Sequence, residues 1–249
     1  MSFRLGKTPA RPGAVRFKLS SYLKTTAWPP VPAVFGHASL VPRWPMFAND
    51  RFGDCVWAGA AHETMLLVAE SGRSATFSDD SVLADYAAVT GFDPRDSSTD
   101  NGTDMQAAAS YRRKTGIVDA QGLRHKIAAY VALDPGNVAH LHLAVYLFGA
   151  VGIGLMLPAS ALDQAMQGKS WDIVVGSPNE GGHYVPLVGR RADGLLETVS
   201  WGALQPMTEA FFARFCDEAV AYVSAECLLD RKSPEGFDYD MLIEHLEAL

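Results

Sequence analysis

From residue 55 to about residue 70 the apolar positions Ala58, Ala61, Met65 and Val68 recur at three- and four-residue steps, the period of one helix face. Ser71-Gly72 ends that run. Ser78-Asp79-Asp80 supplies a cap for a second helix over 81–89, and 104–114 reads as a third, closed by Gly116. The pattern then changes. Short runs rich in Val, Leu and Ile at 126–132, 152–157, 173–175, 184–190, 195–200 and 219–224 predict strands. Helices are predicted at 137–149, 207–215 and 238–249. A helical lobe (about 46–122) therefore precedes a β-rich lobe (about 123–230), with a short acidic helical tail over 231–249.

Residues 1–45 stand apart. Pro9, Pro12, Pro29, Pro30, Pro32, Pro42 and Pro45 fix φ and disfavour helix before them, so the segment reads as extended, with a short helix near 17–24. Its Trp28 and Phe35, and Trp44 beside them, need burial, which argues against a free tail. The charge is uneven as well. Residues 1–49 carry seven basic side chains and no Asp or Glu, leaving −14 for the remainder of a chain whose net charge is −7. Such an arm lies on its own acidic domain, or docks on an acidic protein partner. It has no compact run of five basic residues, so nucleic acid is not expected.

Hydrophobic and charged contents of 48% and 20% place the chain among ordinary globular proteins, long enough for one core or two lobes sharing a cleft. The longest apolar stretch, 141–157, is broken by His142 and three glycines, so no membrane span is expected. Three cysteines, Cys55, Cys216 and Cys227, make no disulfide framework, and residues 1–7 lack a signal-peptide pattern; both suit a cytoplasmic setting. Asp93, Asp96, Asp100 and Asp104 do not follow the EF-hand spacing, and His140 with His142 has no third ligand nearby, so neither a metal nor an organic cofactor is expected. The run 149–154 is not a dinucleotide-binding glycine pattern.

The candidate chemistry centres on Cys55, at the start of its predicted helix after Gly53-Asp54. A helix N-terminus favours thiolate, and His183, 128 positions downstream in Gly181-Gly182-His183-Tyr184, offers the imidazole of a thiolate–imidazolium pair. Cys216, among Phe211, Phe212 and Phe215, reads as core, and His62, His125 and His245 as structural. This order and spacing, with Ser200-Trp201-Gly202 following, resemble the papain-like cysteine peptidases. The stretches Phe77-Ser78-Asp79-Asp80, Asp100-Asn101-Gly102-Thr103 and Gly116-Ile117 are similar to that family's second-helix region and cleft loop. The match covers residues 49–224, about 70% of the chain.

The resemblance implies an α+β fold of two lobes: a helical lobe carrying the Cys helix, packed against an antiparallel β-sheet or barrel. It also implies Cys55 as nucleophile, His183 as acid and base, and Asn49 as an oxyanion donor in place of the family's glutamine. Asn101, Gly102, Thr103 and Trp201 then fall along the substrate cleft. There are departures. The family has Asn-Ser-Trp-Gly where this chain has Val199-Ser200-Trp201-Gly202, and valine cannot orient an imidazole. Ser200, Glu197 or Thr198 must take that place, or none does. Val56 also separates Cys55 from Trp57, and Phe52 replaces a disulfide cysteine. The reading is a cysteine peptidase or amide hydrolase acting on a peptide or protein through an acyl-enzyme. The rival is a weakly active or inactive papain-fold component of a larger assembly, such as a virion, docked through its basic arm. Oligomeric state is left open.

Overall fold

A computed structural model describes residues 3–11, 13, 15, 18–20 and 30–227. The predicted helices at 17–24 and 238–249, and Trp28 and His245, lie outside or mostly outside the described residues.

The helical lobe is built from α1 (Cys55–Glu70), α2 (Asp79–Thr90) and α3 (Met105–Lys114). Two of these starts are set by side chains. Ser78 and Ser81 close a capping box on α2, and the Asp104 carboxylate accepts from the Gln106 and Ala107 amides of α3. Gly91, with φ 76°, takes the left-handed conformation that ends α2. A small hairpin, β2 (Ile117–Val118) and β3 (Arg124–His125), closes the lobe.

The β lobe holds β4 (Ala129–Leu133), β5 (Val151–Pro158), β6 (Asn179–Arg190), β7 (Leu196–Ser200), β8 (Ala203–Met207) and β9 (Cys216–Val223), ordered β4-β9-β5-β6-β7-β8 and antiparallel throughout; β1 (Phe35–Gly36) adds to β6. The sheet stays open at β4 and β8, so it is a sheet and not the closed barrel also expected. Helices α4 (Val138–Phe148), α5 (Ala159–Met166) and α6 (Glu209–Phe215) pack around it. In α4 the buried stripe is Leu141, Ala144, Val145 and Phe148, at helical steps that face the core. His140 and His142 ride on this helix, not on a strand.

The lobes meet where α1 crosses β6. Gly59 makes that approach possible, since a Cβ there would sit 2.4 Å from the Tyr184 ring. Beneath it Glu63 of α1 pairs with Arg112 of α3 at 2.6 Å, both buried, and accepts the Tyr184 hydroxyl. The Arg112 guanidinium lies 4.0 Å from the Tyr222 ring centroid. Segment 173–175, read as a strand, is an exposed turn: Val175 is 95% exposed and no strand pairs with it. His62 and His125, read as structural, are buried; His62 bonds the Pro45 carbonyl at 2.8 Å. Phe35 and Trp44 are buried as their composition demands.

Candidate active site

Cys55 opens α1 and His183 lies on β6, and the crossing of those elements brings them to one small cavity with Asn49, Ser200 and Trp201. Its volume is about 10 Å³, room for one water and not for a peptide. The Cys55 sulfur accepts the Tyr184 backbone N–H at 3.4 Å, and the Gly6 amide also reaches it. His183 Nε2 bonds Ser200 Oγ at 2.9 Å, while its buried Nδ1 has no partner among the described residues. Of Ser200, Thr198 and Glu197, Ser200 is the one bonded to the imidazole. Thr198 spends its hydroxyl on the Gln205 carbonyl.

The His183 ring is clamped face to face by Trp201, at 4.4 Å between centroids and 18° between planes. Trp201 has φ 47°, an outlier for a bulky residue, held by the two-residue turn it forms with Gly202 (φ 76°) between β7 and β8. That turn swings the indole over His183.

A strap formed by residues 3–11 fills the cleft. Phe3 stacks on Trp201 at 4.2 Å, and the Trp201 indole N–H donates to the Arg4 carbonyl. Main-chain bonds run to both walls: Arg4 N–H to Asn49 O at 3.2 Å, Thr103 N–H to Gly6 O at 2.7 Å, Lys7 N–H to Gly182 O at 3.0 Å and Thr8 N–H to Thr103 O at 3.1 Å. The walls are glycine because nothing larger fits. A Cβ on Gly102 or Gly182 would sit 2.2 Å or 2.1 Å from a strap carbonyl oxygen. Farther along, Arg11 pairs with Asp104 at 2.6 Å. So this part of the basic arm lies on its own acidic domain.

Burial of the site sets its electrostatics. Burial pushes the Cys55 thiol up to about 12, with the Tyr184 and Gly6 amides offsetting only part of that, and burial lowers His183 to about 3. Thiol and imidazole are therefore both neutral at neutral pH. The thiolate expected from a helix N-terminus is not what this closed form holds, because desolvation outweighs the helix dipole. Asp54, beside the thiol, is buried and its carboxyl is raised well above its usual range by desolvation.

Other predicted residues have mixed placements. Asn49 is buried at the cavity, but its amide donates to Phe52 O and Asp54 Oδ1, both at 3.1 Å, so both hydrogens are spent within its own turn. Gly102 and Thr103 line the strap channel; Thr103 Oγ1 also accepts the Trp57 indole N–H. Asn101 is exposed and bonds Ser98 O. Each acid of the loop has a protein partner: Asp93 with Arg95, Asp96 with Ser98, Asp100 with Gly53 and Tyr86, Asp104 with α3 and Arg11. No group suited to hold a metal ion occurs among the described residues. Sequence reasoning passed over Gly6, Lys7, Asp217 and Glu218; the one available signal was a glycine–lysine step in an arm without acids.

No protein-family model matches the chain, and no curated protein matches it. Solved structures do. Xylellain, a cysteine protease from Xylella fastidiosa, superimposes with TM-score 0.65 over 90% of this chain and 97% of its own, at 13% identity. The procathepsin B S9 of Trypanosoma congolense gives 0.63 over 89% and 86%, at 12% identity. A Carica candamarcensis cysteine protease solved with E-64 gives 0.55 over 78% and 99%, at 15% identity. The fold of this chain is thus the papain-like cysteine protease fold. In this fold Cys55 at the head of α1 and His183 on the facing strand line one cavity.

Proposed function

We propose that the protein is a cysteine peptidase or amide hydrolase, described here with its cleft closed by its own arm. The observation that carries this reading is the shared cavity: a thiol at a helix N-terminus beside an imidazole whose Nε2 is held by Ser200 and whose Nδ1 is unpaired. With the strap lifted, the thiol and Nδ1 lose the burial that keeps them neutral, and proton transfer from Cys55 to His183 follows. The thiolate attacks a peptide carbonyl, and His183 gives its proton to the leaving amine. Water, deprotonated by His183, then cleaves the thioester. The Cys55 backbone N–H, free at the first turn of α1, is the main oxyanion donor; Asn49 joins it only by surrendering a turn bond.

One observation favours a second reading, a papain-fold binding or structural component: the strap is tied to both cleft walls and leaves the pair uncharged. The test is turnover of a denatured protein by the full chain carrying Gly6→Ala, with Cys55→Ala and Ser200→Ala in the same background. Loss of turnover with Cys55→Ala, and a kcat reduced about 10–100-fold by Ser200→Ala at little change in KM, support the peptidase. No turnover, together with no capture of Cys55 by a peptidyl halomethyl ketone, favours the binding component.

A further inference from the structure

Lys7 is the one strap residue whose side chain enters a pocket built for its charge. The side chain is fully buried, yet each hydrogen of the ammonium has an acceptor: Asp217 Oδ2 at 2.8 Å, Glu218 Oε1 at 3.1 Å and the Thr8 carbonyl at 3.0 Å. Gly154 of β5 makes room for the stem, since a Cβ there would sit 2.0 Å from Lys7 Cε. The buried Asp217 Oδ1 has no partner among the described residues, which leaves an acceptor for the second N–H of a guanidinium fork. One step back along the strap Gly6 touches the Cys55 wall; a Cβ there would meet the Gly53 carbonyl oxygen at 1.8 Å. Position and chemistry are thus specified at two neighbouring sites in the cleft.

We propose that the strap marks a specificity site: the cleft takes extended peptides that place a lysine or arginine between Asp217 and Glu218 and a glycine beside Cys55. This rests on reading the cleft as a peptide site, and it names the class of peptide. A neutral side chain of the same length loses the charge-assisted bonds and leaves two carboxylates facing an apolar stem. An acidic one adds a third negative group.

The test uses the full chain with Gly6→Ala, which lifts the strap, and Lys7→Ala, which empties the pocket. The probe is a fluorescein-labelled peptide of the strap sequence over residues 3–10, compared with versions carrying arginine, norleucine or glutamate in place of the lysine. Fluorescence anisotropy is expected to show lysine and arginine binding roughly tenfold or more tighter than norleucine, and glutamate weakest. Asp217→Asn with Glu218→Gln should erase that preference. Gly154→Ala, which keeps both carboxylates and narrows the stem channel, should weaken the lysine peptide if the double variant does not fold. Equal binding of lysine and norleucine, a preference that survives loss of the two carboxylates, a lysine peptide unaffected by Gly154→Ala, or no binding of any peptide would overturn the proposal. Cleavage is followed in the same samples. Lysine-selective binding without cleavage would uphold the pocket and sink the peptidase reading. Cleavage without preference for a basic residue would do the reverse.

Discussion

Replacing Gly6 by alanine should unlock Cys55. The added methyl would lie 1.8 Å from the Gly53 carbonyl oxygen and 2.2 Å from its carbon, and backbone atoms cannot rotate aside, so the strap must lift near residue 6. Two routes give the size of the effect. In the closed form the thiol sits at about 12, against an ordinary value of 9.0, so opening raises the thiolate fraction at pH 8 by roughly 10³. Independently, the main-chain bonds from Arg4 to Thr8 contribute about 0.5–1.5 kcal/mol each. Four such bonds hold the strap by ~2–6 kcal/mol, which makes the open form of the unaltered chain a fraction of ~10⁻²–10⁻⁴. Both routes predict that Cys55 alkylation by iodoacetamide, read by intact mass and peptide mapping between pH 6 and 9, speeds up ~10²-fold or more. In the opened chain the reaction should persist below pH 7 and lose that persistence with His183→Ala. A change of less than about threefold would refute the idea that the strap is what desolvates the thiol. A parallel rise at Cys216, half-buried and likewise pushed up to about 12 by desolvation, would instead signal global unfolding.

Two further outcomes concern stability. Glu63→Gln leaves the buried Arg112 guanidinium without its carboxylate and should cost about 3–5 kcal/mol in urea denaturation; a loss under 1 kcal/mol would mean the lobes are not held through this pair. His125 is raised above its ordinary 6.5, chiefly by its bond to Glu226 and then by Asp119, and Glu226 is lowered below 4.5, chiefly by His125. A raised histidine stabilises fully below its unfolded value and less as pH rises through its folded one; a lowered carboxylate stabilises above its unfolded value and less as pH falls. Thermal stability relative to His125→Gln should therefore be largest between about pH 4.5 and 6.5, and a difference that is flat from pH 4 to 8 would contradict the pairing.

What the sequence announced and what it hid divide along range of interaction. The helices are written locally: Ser78, Asp104 and Asn137 each stand where a polar side chain can accept from the next turn, and each is an N-cap. Strands β4, β5, β7 and β9 carry dense Val, Leu and Ile and are legible within a few residues, whereas β6 begins at Asn179, five residues ahead of its predicted run. Segment 173–175 carries the same residues and is not a strand, because β propensity only tells where a neighbouring strand is available, and none is. His140 and His142, set aside as metal ligands, lie on α4, the helix that the pattern over 137–149 predicts. Helix α5 and strand β8 escaped notice. Pro158 and Pro206 bound or interrupt them, and their registers are fixed by tertiary pairing.

The site divides the same way. Cys55, His183 and Ser200 were recoverable because motif order fixes which elements face each other. The strap was not, since its partners lie 45 to 210 positions away in sequence, from Arg4–Asn49 to Lys7–Asp217, and no local signal links them. Yet the strap explains why the cleft looks as it does. Gly53, Gly102 and Gly182 wall it with bare backbone, so most of its affinity is for main chain and is indifferent to sequence. Selectivity then has to come from the few places where a side chain is enclosed, and Lys7 occupies the charged one. An arm tethered to its own cleft competes at an effective concentration of about millimolar. A free peptide that merely reproduces the strap must exceed that concentration to displace it. Effective access to Cys55 therefore requires either a peptide that binds better than the strap, through an arginine on the unpaired Asp217 oxygen for example, or an event that detaches the arm. Comparing Cys55 alkylation at saturating arginine peptide with alkylation after Gly6→Ala separates the two. If the peptide alone opens the site as fully as the substitution, competition suffices, and if it cannot, release of the arm is the controlling step.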